Sequence, residues 1–170
     1  MIAVDLLPLD SNTRKTIETN RKYAQFHFIQ GDFTNNFIKQ EIMNVLPPNE
    51  QNGHSQVDCI ISDMAANFTG DKLTDALRTI NLCEDSMMFA AGPNCFDELD
   101  HEEDESIKST EGLLRHGGSF LCKYFACGQE NEHDLMTAAK TRFKYSTVVK
   151  PPASRKESAE LYLFATGFIG

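Results

Sequence analysis

GGSFLCKYF (117–125), with CIISDMAANFTG (59–70) before it and ELYLFATG (160–167) after it, decides how this chain reads. Each string is an apolar run that presents one ionisable residue: Lys123, Asp63 and Glu160 respectively. An acid closing one strand, a lysine within the next and an acid opening the last is not a core pattern. It puts three side chains at one edge of a parallel sheet, where α/β proteins take their ligands. Such a trio suits proton removal from a poor acid such as a sugar hydroxyl.

Outward from these strings, strand-like runs alternate with stretches of helical spacing. IAVDLL (2–7) is a short strand broken by Pro8, and FHFIQGDF (26–33) is a second, punctuated by Gly31. The polar segment 11–24 between them is a short helix or a loop. Phe37, Ile38, Ile42, Val45 and Leu46 predict a helix over 34–46, with Thr34 or Asn35 as its N-cap. VDCIISDM (57–64) is a buried strand. Leu73, Leu77, Ile80, Cys83, Met87 and Met88 mark a long amphipathic helix over 73–92, with the methionine pair in the core and Gly92-Pro93 as its stop. EGLLRHGGSFLCKYF reads as the end of a helix, a Gly-Gly turn and a strand. Residues 133–143 form a further helix, and 145–151 and 160–168 are a closing pair of antiparallel strands. This alternation predicts an α/β fold with a largely parallel sheet and helices on both faces.

The length of 170 residues predicts one domain with a proper core. No apolar run reaches the roughly 20 residues that span a bilayer. MIAVDLL lacks a basic start and a cleavage-like site, so it is a strand and not a signal peptide. The five cysteines, Cys59, Cys83, Cys95, Cys122 and Cys127, mostly sit in apolar runs and read as buried free thiols of a reducing compartment. Neither they nor the five histidines give a ligand cluster, so no metal is expected.

Charge is unevenly spread. Residues 94–111 hold eight acids and one lysine, a net −7 of the chain's −9, and the acidic insertion 94–110 reads as a solvated loop. Residues 140–156 carry Lys140, Arg142, Lys144, Lys150, Arg155 and Lys156 with no acid. That stretch is a solvated face by default. Beside Glu160 it can hold phosphates through Lys150, Arg155 and Lys156.

Each candidate also has a plainer role. Lys123 can end a strand and pair with an acid; Asp63, Asp5 and Asp32 can be turn residues; Glu160 can be a charge that protects a sheet edge. The strings together favour the chemical reading. DLLPLD (5–10), FIQGDF (28–33), SDMAANFTG (62–70), LLRHGGSFLCKYF (113–125) and KPPASRKESAELYLFATG (150–167) occur in one order over nearly all the chain outside the acidic segment. In these strings the chain resembles the FtsJ/RrmJ family of S-adenosylmethionine-dependent RNA 2′-O-ribose methyltransferases.

The resemblance implies a Rossmann-like methyltransferase sheet and a lysine–aspartate–lysine–glutamate tetrad, of which Asp63, Lys123 and Glu160 match the last three members. Lys123 is then the general base, and the two acids orient it and stabilise the ammonium it becomes. Asp5, Asp32 and Asp63 are implied to line the S-adenosylmethionine site. The DLLPLD and SDMAAN wording is closest to the large-subunit ribosomal RNA branch, including its mitochondrial uridine methyltransferases, and the acidic insertion suggests the mitochondrial form. A cytoplasmic or nuclear site is the alternative. Ribosomal RNA or the ribosomal large-subunit particle is the expected partner.

The chain departs from the family in two ways. Ala66 stands where a proline is usual. The family's first tetrad lysine, first strand and glycine-rich loop precede the matching strings and have no counterpart here, so the chain reads as an N-terminally truncated domain. The missing strand would lie between those of Asp5 and Asp63. Two other readings are a tRNA methyltransferase and a catalytically silent RNA-binding fragment. A dinucleotide oxidoreductase would need a GxGxxG turn after a strand, which the sequence lacks.

Overall fold

The alternating pattern is realised as six strands and four helices among the described residues of a computed structural model, which are 1–20, 25–48, 56–96, 112–152, 154, 155 and 158–170. The order is β1 (Ile2–Asp5), α1 (Ser11–Thr19), β2 (His27–Gln30), α2 (Asn36–Val45), β3 (Val57–Ser62), α3 (Lys72–Ala91), β4 (Leu114–Phe125), α4 (Gln129–Arg142), β5 (Phe143–Val149) and β6 (Glu160–Phe168). They fall into two units, Met1–Ser55 and Gln56–Gly170.

In the first unit β1 and β2 pair in parallel, from Ile2 opposite His27 to Asp5 opposite Gln30. The polar segment after β1 is helical because Asp10 caps it, accepting from the Asn12 and Thr13 N–H groups at 3.0 Å each. Asn35 caps α2 by accepting from Phe37 N–H at 2.9 Å. Ile42 of α2 and Ile29 of β2 are buried, whereas Phe37, assigned by spacing to the apolar face, is exposed.

The second unit holds a four-stranded sheet in the order β3-β4-β6-β5. β3 runs parallel to β4; β4 with β6, and β6 with β5, are antiparallel. The closing antiparallel pair expected from the sequence is therefore present. One face of the sheet presents Phe120, Cys122, Tyr124, Leu163 and Ala165 to Ile80, Cys83 and Met87 of α3 and to Leu135 and Ala139 of α4, all in one core cluster. Each fully buried Leu, Met or Phe side chain there contributes about 1.5–3 kcal/mol. Capping fixes the ends of α3. Asp71 accepts from Thr74 N–H at 2.8 Å, and Gly92, at φ +94°, closes the helix with its N–H on Met88 O at 2.9 Å.

Several local expectations are corrected. The segment before Gly117-Gly118 is strand, not helix, and the glycine pair lies inside β4. The β3–β4 register shifts there, between Val57 and Cys59, and Gly117 takes the φ of +82° that such an irregularity requires. β3 is not a buried strand: Cys59 is exposed and Ile61 is 70% exposed, because both lie on the face turned away from the core cluster. Met87 is buried, but Met88 is turned outward and 37% exposed. Residues Pro93–Phe96 form a 3-10 turn. The rest of the acidic insertion, from Asp97, lies outside the described residues, as does Lys156. No described helix is long and apolar enough to cross a membrane.

Candidate active site

The parallel register sets Ser62, the last residue of β3, beside Cys122 of β4. Asp63 follows at once, directly after the strand. Across the other side of β4, Lys123 stands opposite Tyr162 of β6, and Phe125 opposite Glu160. Directly opposed residues share a face, and so do residues two apart on a strand. Lys123, Phe125, Glu160 and Tyr162 therefore lie on the face opposite the core cluster. Lys123, Glu160 and Tyr162 are half-buried and Asp63 is exposed.

Tyr162 links this group. Its hydroxyl donates to the Glu160 carboxylate, and that hydrogen bond, with desolvation and the nearby charges of Glu160 and Asp63, pushes the phenol up to about 12. The hydroxyl is thus a neutral donor throughout the physiological range, holding the acid that opens β6.

From the core side, α3 holds the end of β4 and the loop that border the site. Phe125 N–H donates to Thr79 Oγ1 at 3.0 Å, and Thr79 donates to Ala76 O at 2.8 Å. Asp75, which is buried, receives Thr69 N–H at 2.7 Å, Thr69 O–H at 2.8 Å and Gly70 N–H at 3.1 Å. The backbone bond from Thr69 is the main cause that holds the Asp75 carboxyl below its usual range. Arg78 Nη1 donates to Asn67 O at 3.4 Å. The loop that leaves Asp63 is thereby tied down at Asn67, Thr69 and Gly70. Below the site, Glu132 receives Cys127 N–H at 3.1 Å and Gly128 N–H at 3.3 Å, fixing the turn from β4 into α4, and Tyr124 donates to it at 3.3 Å.

In the first unit Asp5 is exposed at the C-terminal end of β1 and accepts from Leu7 N–H at 2.8 Å. Asp32, two residues past β2, accepts from Thr34 O–H at 2.8 Å and Thr34 N–H at 2.9 Å, and these bonds hold its carboxyl below the usual range. Both acids sit at the C-terminal edge of a parallel strand pair. In the second unit the Lys150 ammonium donates to Ser158 O at 2.8 Å, spanning the loop before β6, and Arg155 is exposed. Among the described residues no cluster of His, Cys, Asp or Glu could hold a metal ion.

The FtsJ-like methyltransferase family matches residues 1–168. This chain belongs to that family. Its FtsJ-like sequence is 34% identical over 168 residues to "Ribosomal RNA large subunit methyltransferase E" of Gluconobacter oxydans, covering 99% of the chain and 48% of that protein. It is 38% identical over 142 residues to the protein of the same name in Brucella ovis, covering 84% of the chain and 47% of that protein. The chain thus spans about half the length of these relatives. A crystal structure described as a putative ribosomal RNA methyltransferase from Plasmodium falciparum shares the Rossmann-like α/β fold, with TM-score 0.63 and 22% identity over all of this chain and 72% of that one.

Sequence reasoning passed over three residues that border the candidate site: Tyr162, Thr79 and Asp75. Tyr162 had a signal, because a strand that starts at Glu160 repeats its face two residues on. Thr79 and Asp75 had none, since helical spacing marks them only as part of a mixed face.

Proposed function

We propose that this chain is the catalytic part of an RNA 2′-O-methyltransferase, with S-adenosylmethionine as methyl donor and a uridine of large-subunit ribosomal RNA as target. The observation that carries the reading is the grouping of Lys123, Glu160 and Tyr162 on one sheet face, with Asp63 directly after β3 and its charge near Tyr162. Family membership supports methyl transfer. The names of the bacterial relatives support the large ribosomal subunit, as RNA or as particle, as the partner.

S-adenosylmethionine, when bound, supplies an electrophilic methyl group. In the first unit Asp5 and Asp32 fit such a cofactor as exposed anions at strand ends, able to accept from ribose hydroxyls and amino groups. In the second unit Asp63 has the same chemistry and also neighbours Lys123. Lys123 takes at Nζ the proton that leaves the 2′-hydroxyl, and Asp63 and Glu160 orient it and stabilise the resulting ammonium. Tyr162 holds the Glu160 carboxylate in place. Lys150, Arg155 and Lys156 neutralise RNA phosphates.

The finer parts of the proposal are that both units belong to one methyltransferase domain, that the natural protein supplies a further strand and lysine upstream, and that it works in the mitochondrion. The second of these is supported by β1 and β3, each of which has a single hydrogen-bonded neighbour among the described residues. In-frame transcript sequence upstream of Met1 tests it. The central test is tritium transfer from labelled S-adenosylmethionine to large-subunit ribosomal RNA. Label on ribose is the expected result. Label only on tRNA moves the substrate, and salt-sensitive RNA binding with no transfer identifies a silent fragment.

A further inference from the structure

Phe68 is a large apolar side chain left 63% exposed in the loop that leaves Asp63. Single exposed apolar residues are ordinary on a protein surface. Two observations set this one apart. The first is where its ring sits. It packs edge-on against Phe125, with centroids 5.5 Å apart and planes at 78°. Phe125 is opposite Glu160 and two residues beyond Lys123, so Phe68 borders the face that carries the candidate catalytic group. The second is how its backbone is held. Asn67 O, on one side, accepts from Arg78, and Thr69 N–H, on the other, donates to Asp75. A loop that merely crosses the surface has no need of two anchors around one exposed ring. Anchored, the ring is preorganised, and binding to it costs little ordering entropy. Arg78 adds a positive charge behind the loop. An exposed flat π-surface, fixed beside a group that abstracts a sugar proton and flanked by a cation, matches a nucleobase and its phosphate.

We infer that Phe68 is the platform on which a base of the RNA substrate stacks, positioning the adjoining ribose at Lys123. The inference rests on the RNA methyltransferase reading. Stacking has no base selectivity, so Phe68 sets position and not sequence.

The chain has no tryptophan, so Phe68→Trp gives a single emitter at the proposed platform. The 170-residue chain carrying Phe68→Trp is titrated with a labelled single-stranded oligouridylate of about 15 nucleotides. RNA binding is read from the anisotropy of the label, and stacking from the tryptophan emission. Saturable quenching in step with anisotropy is expected. Phe68→Ala and Phe68→Leu should both bind roughly 5- to 150-fold more weakly, the loss of one base–aromatic stack, and raise the KM for RNA. Phe68→Leu keeps apolar packing on Phe125, so its loss of affinity separates stacking from loop support. RNA binding without quenching, or Phe68→Leu with wild-type affinity, overturns the platform and leaves the methyltransferase reading standing. A wild-type chain that binds no RNA overturns both.

Discussion

Lys123 and Tyr162 face each other across β4 and β6, and they do different work. Lys123 is the base of the proposed reaction, so Lys123→Ala should lower methyl transfer by roughly 10²- to 10⁴-fold with RNA binding retained. Normal transfer by that variant would remove Lys123 from the mechanism. Tyr162 acts through Glu160, so Tyr162→Phe should lower kcat less than Lys123→Ala does and leave RNA affinity alone. Its pH signature follows from the direction of its shift. The phenol titrates at about 12 in the fold, above its ordinary value of 10. Its contribution to stability is complete below pH 10 and fades as pH climbs towards 12. Alkaline melts of Tyr162→Phe should lack that decline.

At the scale of elements, the loop after β3 depends on α3 for its shape. Asp75 is its anchor, and its carboxyl titrates below the ordinary value of 3.8 because the Thr69 backbone bonds to it. A depressed carboxylate stabilises the fold above its unfolded value, and that contribution is lost as pH falls through the folded one. Asp75→Asn should therefore melt at a lower temperature at neutral pH and show a flatter acid limb. Unchanged melts at pH 7 and pH 3 would mean that the loop does not need this anchor. Most elements were legible in the sequence because they repeat simply. β4, β6 and α2 show periods of two or 3.6, and Asn35 and Gly92 mark helix ends by their type. Gly117-Gly118 was misread because the same dipeptide serves a turn or an irregular strand, and only the position of β3 decides between them. Met88 was misplaced because it adjoins Met87 in sequence but lies about 100° further round the helix. Of the candidate site, the charged members Lys123, Asp63 and Glu160 stood out from apolar runs. Tyr162 did not, because a tyrosine in a strand is ordinary packing until a carboxylate is found at its hydroxyl.

Across the whole molecule, charge of the two signs is separated along the chain, with most of the excess acid between Asp97 and Glu111 and a cationic run over 140–156. The net charge of −9 opposes RNA binding in general, so the proposed RNA substrate needs its phosphates met locally. Lys150 is partly committed to Ser158, which makes exposed Arg155 the cleaner probe. Arg155→Ala should weaken RNA binding evenly across sequences and reduce the slope of log affinity against log salt by about 0.7, the value for one phosphate of a single strand. An unchanged slope would take Arg155 out of the interface. Both the polarity and the nearness of the cationic run to Glu160 were plain from the sequence, and the fold adds that Glu160 opens β6.

The bond from Phe125 to Thr79 has a kinetic meaning. Successive N–H groups of a strand point to opposite sides. Ala126 N–H is on Ala159 O at 2.8 Å, towards β6, so Phe125 N–H points to the side where β3 has already ended. There a threonine hydroxyl of α3 takes the position a neighbouring strand would hold. Deuterium can replace that amide hydrogen only when its bond to Thr79 of α3 opens. Its exchange rate then reports on the contact between β4 and the helix that also carries Asp75 and Arg78, and anything that settles on the anchored loop should slow it.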